Sequence, residues 1–322
     1  MTAGSGGGAD TLVDEVAGQG LIAPGKTVIV LYSGGRDSTC LLDVAVRIAG
    51  SASVAALHVN YGLRAAAAAD ERHCFDTCER LGVPIEVHRP RKPEGGNVQA
   101  WARDERYATA AALAKRGNAD VAAGHTATDQ VETILYRLAS SPSRRALLGM
   151  RPREGNLVRP LLLYTRARTG AYCEERGLAW REDESNAGDA YARSRIRAKL
   201  VPALNDVHPA AEANVLALAS ILRDEADVLD ALVDDVLAGT HEIALPALRA
   251  LPEALQRLVL QRMADDAAGC PAPGTARRAT EILTLPDRGT AALDLPHGVR
   301  AIADRGKLRF ALQNNRRSRT HK

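Results

Sequence analysis

Ser33-Gly34-Gly35-Arg36-Asp37-Ser38 concentrates small and charged residues in one short stretch of a 322-residue chain. Two glycines let a backbone come close to an anion, and two serines add hydroxyl donors. Asp37 would be repelled by phosphate unless a divalent cation lies between them, so the stretch also points to magnesium. A second group runs from Gly124 through His125, Thr126, Thr128, Asp129 and Glu132 to Thr133. Asp129 and Glu132 are three apart, so a helix starting near Thr128 puts both carboxylates on one face. Glu132 has a plainer alternative as half of a capping box with an upstream threonine. His125 stands just before that helix, placed to meet phosphate or to shuttle a proton, where the plainer alternative is a satisfied structural histidine. A third group, His58-Val59-Asn60-Tyr61-Gly62-Leu63-Arg64, carries further polar side chains.

The segments around these groups say how they must be held. Val28-Ile29-Val30-Leu31 has no polar interruption, as expected of a central parallel strand buried on both faces. It feeds the glycine turn, and Thr39 to Ile48 follow with apolar residues at helical spacing. A strand, a glycine turn and a helix start together present backbone N–H groups and a positive dipole end to an anion. Strands are expected at 27–32, 53–59, 84–88 and 119–123, alternating with helices at 38–49, 66–81, 97–117 and 128–139. That alternation predicts an α/β fold, a Rossmann-like, doubly wound, mainly parallel sheet with ligands at the carboxyl ends of its strands. All three polar groups fall at such strand ends. Gly20 to Thr27 also fits G-x-x-x-x-G-K-[ST] letter for letter, but its strand follows the motif instead of preceding it, so the match reads as accidental.

Composition narrows the class. The length allows two domains, hydrophobic residues make up 46%, and no apolar run is long enough to span a bilayer. The first ten residues have neither a basic n-region nor an apolar h-region, so residues 1–22 read as a flexible leader with a short helix, and the cytoplasm is the expected address. Five scattered cysteines form no zinc or redox spacing. Net charge is only +3, but Arg137 to Lys199 hold 14 Lys/Arg against 7 Asp/Glu. Beside a nucleotide-type site, that cluster, including Arg144 and Arg145, points to a polyanionic partner. After Pro209 the pattern becomes helical. A stripe of Leu218, Ile221, Leu222, Leu229, Leu232, Val233 and Val236 opposes an acidic face. A second helix is expected over 251–263, a third over 276–285 and a small β element over 291–310.

The glycine stretch resembles the pyrophosphate loop of the N-type ATP pyrophosphatases, which cleave ATP between its α and β phosphates and adenylate an oxygen. The set of motifs is more specific. Ser-Gly-Gly-Arg-Asp-Ser, the His58 to Arg64 run, the Gly124 to Thr133 run, Arg159-Pro160-Leu161-Leu162, Asp183-Glu184-Ser185-Asn186 and Arg193 to Arg197 occur in the order seen in the tRNA(Ile)-lysidine synthetase family, over about residues 25 to 210. Three departures stand out. Tyr61 replaces a frequent histidine, Thr128 a second acid beside Asp129, and Ser194 an asparagine.

The resemblance implies that the wobble cytidine of a CAU anticodon is adenylated by ATP through its C2 carbonyl, after which free L-lysine displaces AMP to give lysidine. It implies ATP binding by Ser33, Gly34, Gly35, Arg36, Asp37, Ser38, His58 and Gly124, with Mg2+ on Asp37 and Asp129. Asp37, His125, Asp129 and Glu132 would carry catalysis, Glu132 binding the lysine ammonium. Arg64, Arg144, Arg145, Asp183, Asn186, Arg193 and Arg197 would meet tRNA or substrate. A catalytic domain is expected over 23–208, a helical tRNA-binding domain over 209–313 and a basic tail over 314–322; the oligomeric state stays open. A thiolase or an amide synthetase on the same loop is the rival enzyme reading, and a non-catalytic RNA-binding module the rival of another class.

Overall fold

The computed structural model describes residues 8–63, 65–141, 144–181 and 192–313. The chain divides into two compact units, Met1–Ala219 and Ser220–Lys322. The division falls inside a helix and not after residue 208.

Six strands build the sheet of the first unit: β1 (Val28–Leu31), β2 (Val54–Val59), β3 (Ile85–His88), β4 (Asp120–Ala122), β5 (Arg153–Glu154) and β6 (Leu157–Val158). Their order is β3-β2-β1-β4-β6-β5. Every neighbouring pair is parallel except the β5–β6 hairpin, which has no counterpart in the expected elements. The other four strands match expectation within a residue at each end. The helices are α1 (Gly8–Gly18), α2 (Arg36–Ala49), α3 (Ala67–Leu81), α4 (Val98–Gly117), α5 (Ala127–Ser140), α6 (Arg166–Glu175), α7 (Ala192–Arg195), α8 (Val201–Val207) and α9 (Ala211–Leu237).

β1 shows why its run of apolar residues is unbroken. Val28 and Val30 join a core with Leu12, Val16, Leu41 and Val44 of α1 and α2, while Ile29 and Leu31 join a second core with Ala110 and Ala114 of α4. Alternate residues of a strand point to opposite faces, and here both faces are covered. From β1 the chain runs outward through β2 to β3, then returns to place β4 on the other side of β1. The order therefore reverses between β1 and β4, and a crevice opens there at the carboxyl ends of the strands. The Walker-like Gly20 to Thr27 stretch lies before β1, and Lys26 Nζ sits 2.6 Å from Asp120 Oδ2, so this lysine binds a carboxylate and starts no helix.

Between α7 and α8 the chain makes a π-helical turn over Ile196–Leu200. Pro202 has no N–H to return to the carbonyl four residues back, which breaks the regular ladder at this point. Ile196 packs there against Val131 and Leu135 of α5.

The second unit pairs helices with an antiparallel sheet. It contains β7 (Glu242–Ala244), α10 (Leu245–Ala250), α11 (Glu253–Ala268), α12 (Ala279–Leu283), β8 (Thr290–Asp294), β9 (Val299–Asp304) and β10 (Lys307–Leu312), with strand order β7-β10-β9-β8. Val299, Ala301 and Ala303 of β9 alternate inward against Leu260 and Met263 of α11 and Ile282 of α12. One sheet face is thus buried and one open. β7 and α10 were not anticipated. On α9, Ala219, Ala226, Val233 and Leu237 are buried, whereas Leu218, Ile221 and Leu232 are exposed. The buried stripe is rotated from the one expected, because alanines line it and their small side chains carry little periodic signal. Among the described residues, no helix is long and apolar enough to cross a membrane.

Candidate active site

The loop after β1 is built to approach an anion. Gly34 has φ +78°, and a Cβ there would stand 3.0 Å from Cys74 Sγ, so glycine is required by both conformation and space. Gly35 is the N-cap of α2, and no side chain caps that helix. The first N–H groups of α2 and its positive dipole end therefore face the crevice. The serines hold the loop together. Ser38 Oγ lies 3.0 Å from Ser33 Oγ, accepts the Ser33 N–H at 3.2 Å and donates to the Gly35 carbonyl at 2.9 Å. A Cβ at Gly124 would lie 3.1 Å from the Asp37 carbonyl oxygen and 3.2 Å from Ser38 N. The end of β4 thus rests directly on the loop backbone, and a side chain there would press on it.

At the start of α5, Thr126 is the N-cap and Asp129 closes the capping box, its Oδ2 accepting the Thr126 N–H at 2.9 Å and the Thr126 hydroxyl at 2.8 Å. Asp129, not Glu132, is therefore the capping partner. Its other oxygen accepts from Arg166 Nη2 at 2.9 Å. Burial disfavours the Asp129 carboxylate, but Arg166 and the Thr126 hydrogen bonds outweigh it and hold the carboxyl below its usual range. Arg166 Nε also lies 3.4 Å from Asp37 Oδ2, while the Thr169 hydroxyl donates to Asp37 Oδ1. One guanidinium thus stands between the two acids expected to hold magnesium.

Glu132 departs from its expected role. It is 2% exposed, and its two oxygens accept from Arg197 Nε at 2.6 Å and Nη2 at 3.0 Å. Its face of α5 points into the packing of the π turn, so the carboxylate orients Arg197 and does not line the cavity. His125 does line it. Burial, with Arg159, Arg106 and Arg103 nearby and Asp129 opposing, lowers its pKa to about 4. Its imidazole is neutral near pH 7, and Nδ1 is buried without a hydrogen-bond partner. It can exchange a hydrogen bond with a ligand but brings no positive charge to a phosphate.

These elements enclose a cavity of about 680 Å³, lined among others by Ser33, Gly35, Arg36, Asp37, Ser38, His58, Gly124, His125, Asp129 and Arg197. That volume suits a nucleotide-sized ligand. His58 Nδ1 lies 3.0 Å from the Tyr32 carbonyl, which fixes the ring at the wall. Arg193 Nη2 donates to Thr133 Oγ1 at 3.2 Å, which ties it to α5. Arg145 is exposed. Arg64, Asp183, Asn186 and the Arg144 side chain lie outside the described residues. Sequence reading missed Arg166 and Thr169 on α6, Arg106 and Tyr107 on α4, and Arg181, whose N–H donates to the Gly34 carbonyl at 2.9 Å. The one signal for α6 was Thr165, which caps it by accepting the Arg168 N–H. Gly170 and four charged residues within Arg166–Glu175 obscure its apolar side.

The basic block is less available than its count suggested. Seven of its members, Arg153, Arg159, Arg166, Arg168, Arg176, Arg181 and Arg197, form ion pairs with Asp120, Glu154, Asp37 and Asp129, Glu15, Asp43, Asp70 and Glu132 respectively. Two cysteines of α3, one of them beside Gly34, are held as thiols. Burial pushes the thiols of Cys74 and Cys78 up to about 12, so neither offers a thiolate.

The PP-loop domain model matches residues 11–204. The tRNA(Ile)-lysidine synthase of Pseudomonas fluorescens is 37% identical over 249 residues, covering 72% of this chain and 56% of that protein. The synthase of Symbiobacterium thermophilum is 34% identical over 334 residues, covering 94% of this chain and 68% of that protein. The chain spans about half the length of several curated relatives, 56% for P. fluorescens and 48% for Thermus thermophilus. Among solved structures, the U34-tRNA thiolase NcsA of Methanococcus maripaludis superposes with a TM-score of 0.57 at 15% identity, over 67% of this chain and 79% of that one, and shares the fold. The uncapped start of α2, the glycine-tight meeting of β1 and β4 and matches of this extent lead to one conclusion: the chain belongs to the PP-loop family and, within it, to the family of the tRNA(Ile)-lysidine synthases.

Proposed function

We propose that this chain uses ATP to join free L-lysine to C2 of the wobble cytidine in the CAU anticodon of tRNA(Ile), through an adenylated tRNA intermediate. One observation supports it above the others: the uncapped N-terminus of α2, with Asp37 in its first turn, and Asp129 at the start of α5 line one cavity at the strand-order reversal, in a chain 34–37% identical to proteins named for that reaction. The Ser33–Ser38 loop and the α2 dipole hold the β- and γ-phosphates, which leave as pyrophosphate. Arg36, whose Nε is buried without a hydrogen-bond partner, faces developing charge on the leaving group. His125, neutral, orients a phosphate or substrate oxygen by hydrogen bonding. Glu132 keeps Arg197 extended toward the cavity, where its guanidinium meets the adenylate.

Magnesium fits the residues present. Asp37 and Asp129 are two carboxylates from separate helix starts, and no group of three or more His, Cys, Asp or Glu among the described residues makes a closed cage. One or two carboxylates completed by substrate phosphates is the usual arrangement for Mg2+. Bound there, the ion would offset charge developing on the phosphates. The unpaired anticodon loop can present its base to such a cavity, whereas a duplex cannot. We assign tRNA contacts to the basic residues of 144–151 and to the second unit, and place the reaction in the cytoplasm with the tRNA it would modify. Incubation with ATP, lysine and an unmodified tRNA(Ile) transcript, followed by pyrophosphate release and nucleoside analysis, tests the proposal. Lysidine formed only when all three are present is the expected result, and pyrophosphate release without a modified nucleoside would reject it.

A further inference from the structure

Asp37 and Asp129 already share a cation. Arg166, the first residue of α6, sets Nη2 2.9 Å from Asp129 Oδ1 and Nε 3.4 Å from Asp37 Oδ2. Its backbone is anchored, since the N–H donates to Thr128 Oγ1 at 3.3 Å and Thr165 caps the helix it begins. One turn on, Thr169 donates to Asp37. The start of α6 is thereby tied to the starts of both α2 and α5. The guanidinium itself is held unevenly. Its bond to Asp129 is formed, but Nε is buried and makes no hydrogen bond, so the attraction to Asp37 is charge without directed bonding. Arg36 repeats the pattern, with Nε 3.5 Å from Asp37 Oδ1 and no hydrogen-bond partner. A guanidinium serving only as structural glue between two carboxylates would satisfy both. This one balances charge and leaves a buried N–H without an acceptor at the cavity wall.

We propose that Arg166 is a placeholder cation. In the nucleotide-free protein its guanidinium stands between Asp37 and Asp129, and on entry of Mg-ATP it yields the acids to the metal and turns its donors to the phosphates. The inference rests on the metal reading of Asp37 and Asp129. Charge favours the exchange. ATP brings about four negative charges and Mg2+ two positive ones, so the complex enters with an excess of negative charge just as an arginine is released beside it. A planar guanidinium pairs with phosphate as readily as with carboxylate. Before nucleotide arrives, the same arginine keeps two converging carboxylates from repelling one another and from collecting a divalent ion unproductively.

The test is Mn2+ binding in place of Mg2+, read from the loss of the free-ion EPR signal, in the full chain and in Arg166→Gln and Arg166→Lys. Each is measured alone and with α,β-methylene-ATP, whose α–β bridge is not cleaved. Without nucleotide, Arg166→Gln should bind Mn2+ at least tenfold more tightly than the unmodified chain. With the analogue the order should reverse, because the variant lacks a phosphate contact. Arg166→Lys keeps one positive charge but cannot span both acids, so its nucleotide-free affinity should also rise, at least threefold; it carries the test if the glutamine variant fails to fold. Nucleotide-free affinity unchanged or weaker in a folded variant overturns the exchange, since a purely structural arginine would lower stability and leave metal affinity alone. Failure of the unmodified chain to take up Mn2+ even with the analogue overturns the metal reading itself, and is told apart because no variant is involved.

Discussion

Glu132 and His125 show how burial changes what a side chain can do. With both oxygens on Arg197, Glu132 acts through that arginine, and both half-reactions should depend on it equally. Glu132→Gln should cost roughly 1–3 kcal/mol of stability, the range for an unsatisfied buried partner. It should reduce pyrophosphate release and lysidine formation by the same factor. Combined with Arg197→Gln, the losses should be non-additive, since the two residues act as one unit. Normal pyrophosphate release with selectively lost lysidine would return Glu132 to the lysine-binding role. For His125 the sign follows from its depressed value. The unfolded chain takes up a proton near the ordinary pH 6.5, whereas the folded chain resists until about pH 4. Between those values the unfolded state binds more protons, so stability falls as pH drops from 6.5 toward 4. Asp129, held low in the same site, adds its own loss only below the ordinary carboxylate range. Urea titrations at pH 7 and pH 5 should show a smaller drop for His125→Asn than for the parent; equal drops would mean the imidazole is not buried in its neutral form.

The elements meet at Gly124, where β4 lies against the loop of β1. Gly124→Ala places a methyl 3.1–3.2 Å from the Asp37 and Ser38 backbone, which cannot move aside as a side-chain end would. ATP affinity should fall at least tenfold while the thermal midpoint moves by only a few degrees, because the strain sits at the crevice and not in either core. Unchanged ATP binding, read by calorimetry, would show that the loop adapts. The same junction explains what could be read in advance. β1 was legible because burial on both faces demands an unbroken apolar run, and α2 because Leu41, Leu42, Val44 and Ala45 keep helical period. α5 was legible too, but the partner of its carboxylates was not, since Arg197 is 65 residues from Glu132 and reaches it through a π turn. α6 was lost altogether. Its buried side is Thr169, Gly170, Tyr172 and Cys173, a weakly apolar set, so the helix that delivers Arg166 has almost no periodic signature. The loop and the acids were local patterns, whereas their cation came from a distant contact.

At the scale of the molecule, charge decides how the proposed tRNA is met. At least seven of the 14 arginines and lysines in the cluster are paired with acids of their own unit, so net counts overstate the attraction to RNA. α9 adds Asp224, Glu225, Asp227, Asp234 and Asp235, whose carboxylates repel a phosphate backbone, and it is not assigned to the RNA face. Arg145 and Arg151 are exposed and lie in the stretch proposed to meet tRNA, and they should behave differently from Arg168 and Arg176. tRNA affinity should fall steeply between about 50 and 200 mM salt, with each phosphate contact contributing a slope of roughly 0.7–0.9 in log–log form. Arg145→Gln with Arg151→Gln should lower that slope by up to two contacts and weaken binding across tRNA sequences alike. Arg168→Gln and Arg176→Gln break pairs with Glu15 and Asp43, so they should lower the thermal midpoint and leave the slope unchanged. ATP affinity is the internal control, because the helix dipole and buried backbone donors at the loop are less screened than surface charge. If tRNA affinity is flat with salt, or if Arg168 and Arg176 carry the slope, the RNA face lies elsewhere than residues 144–151.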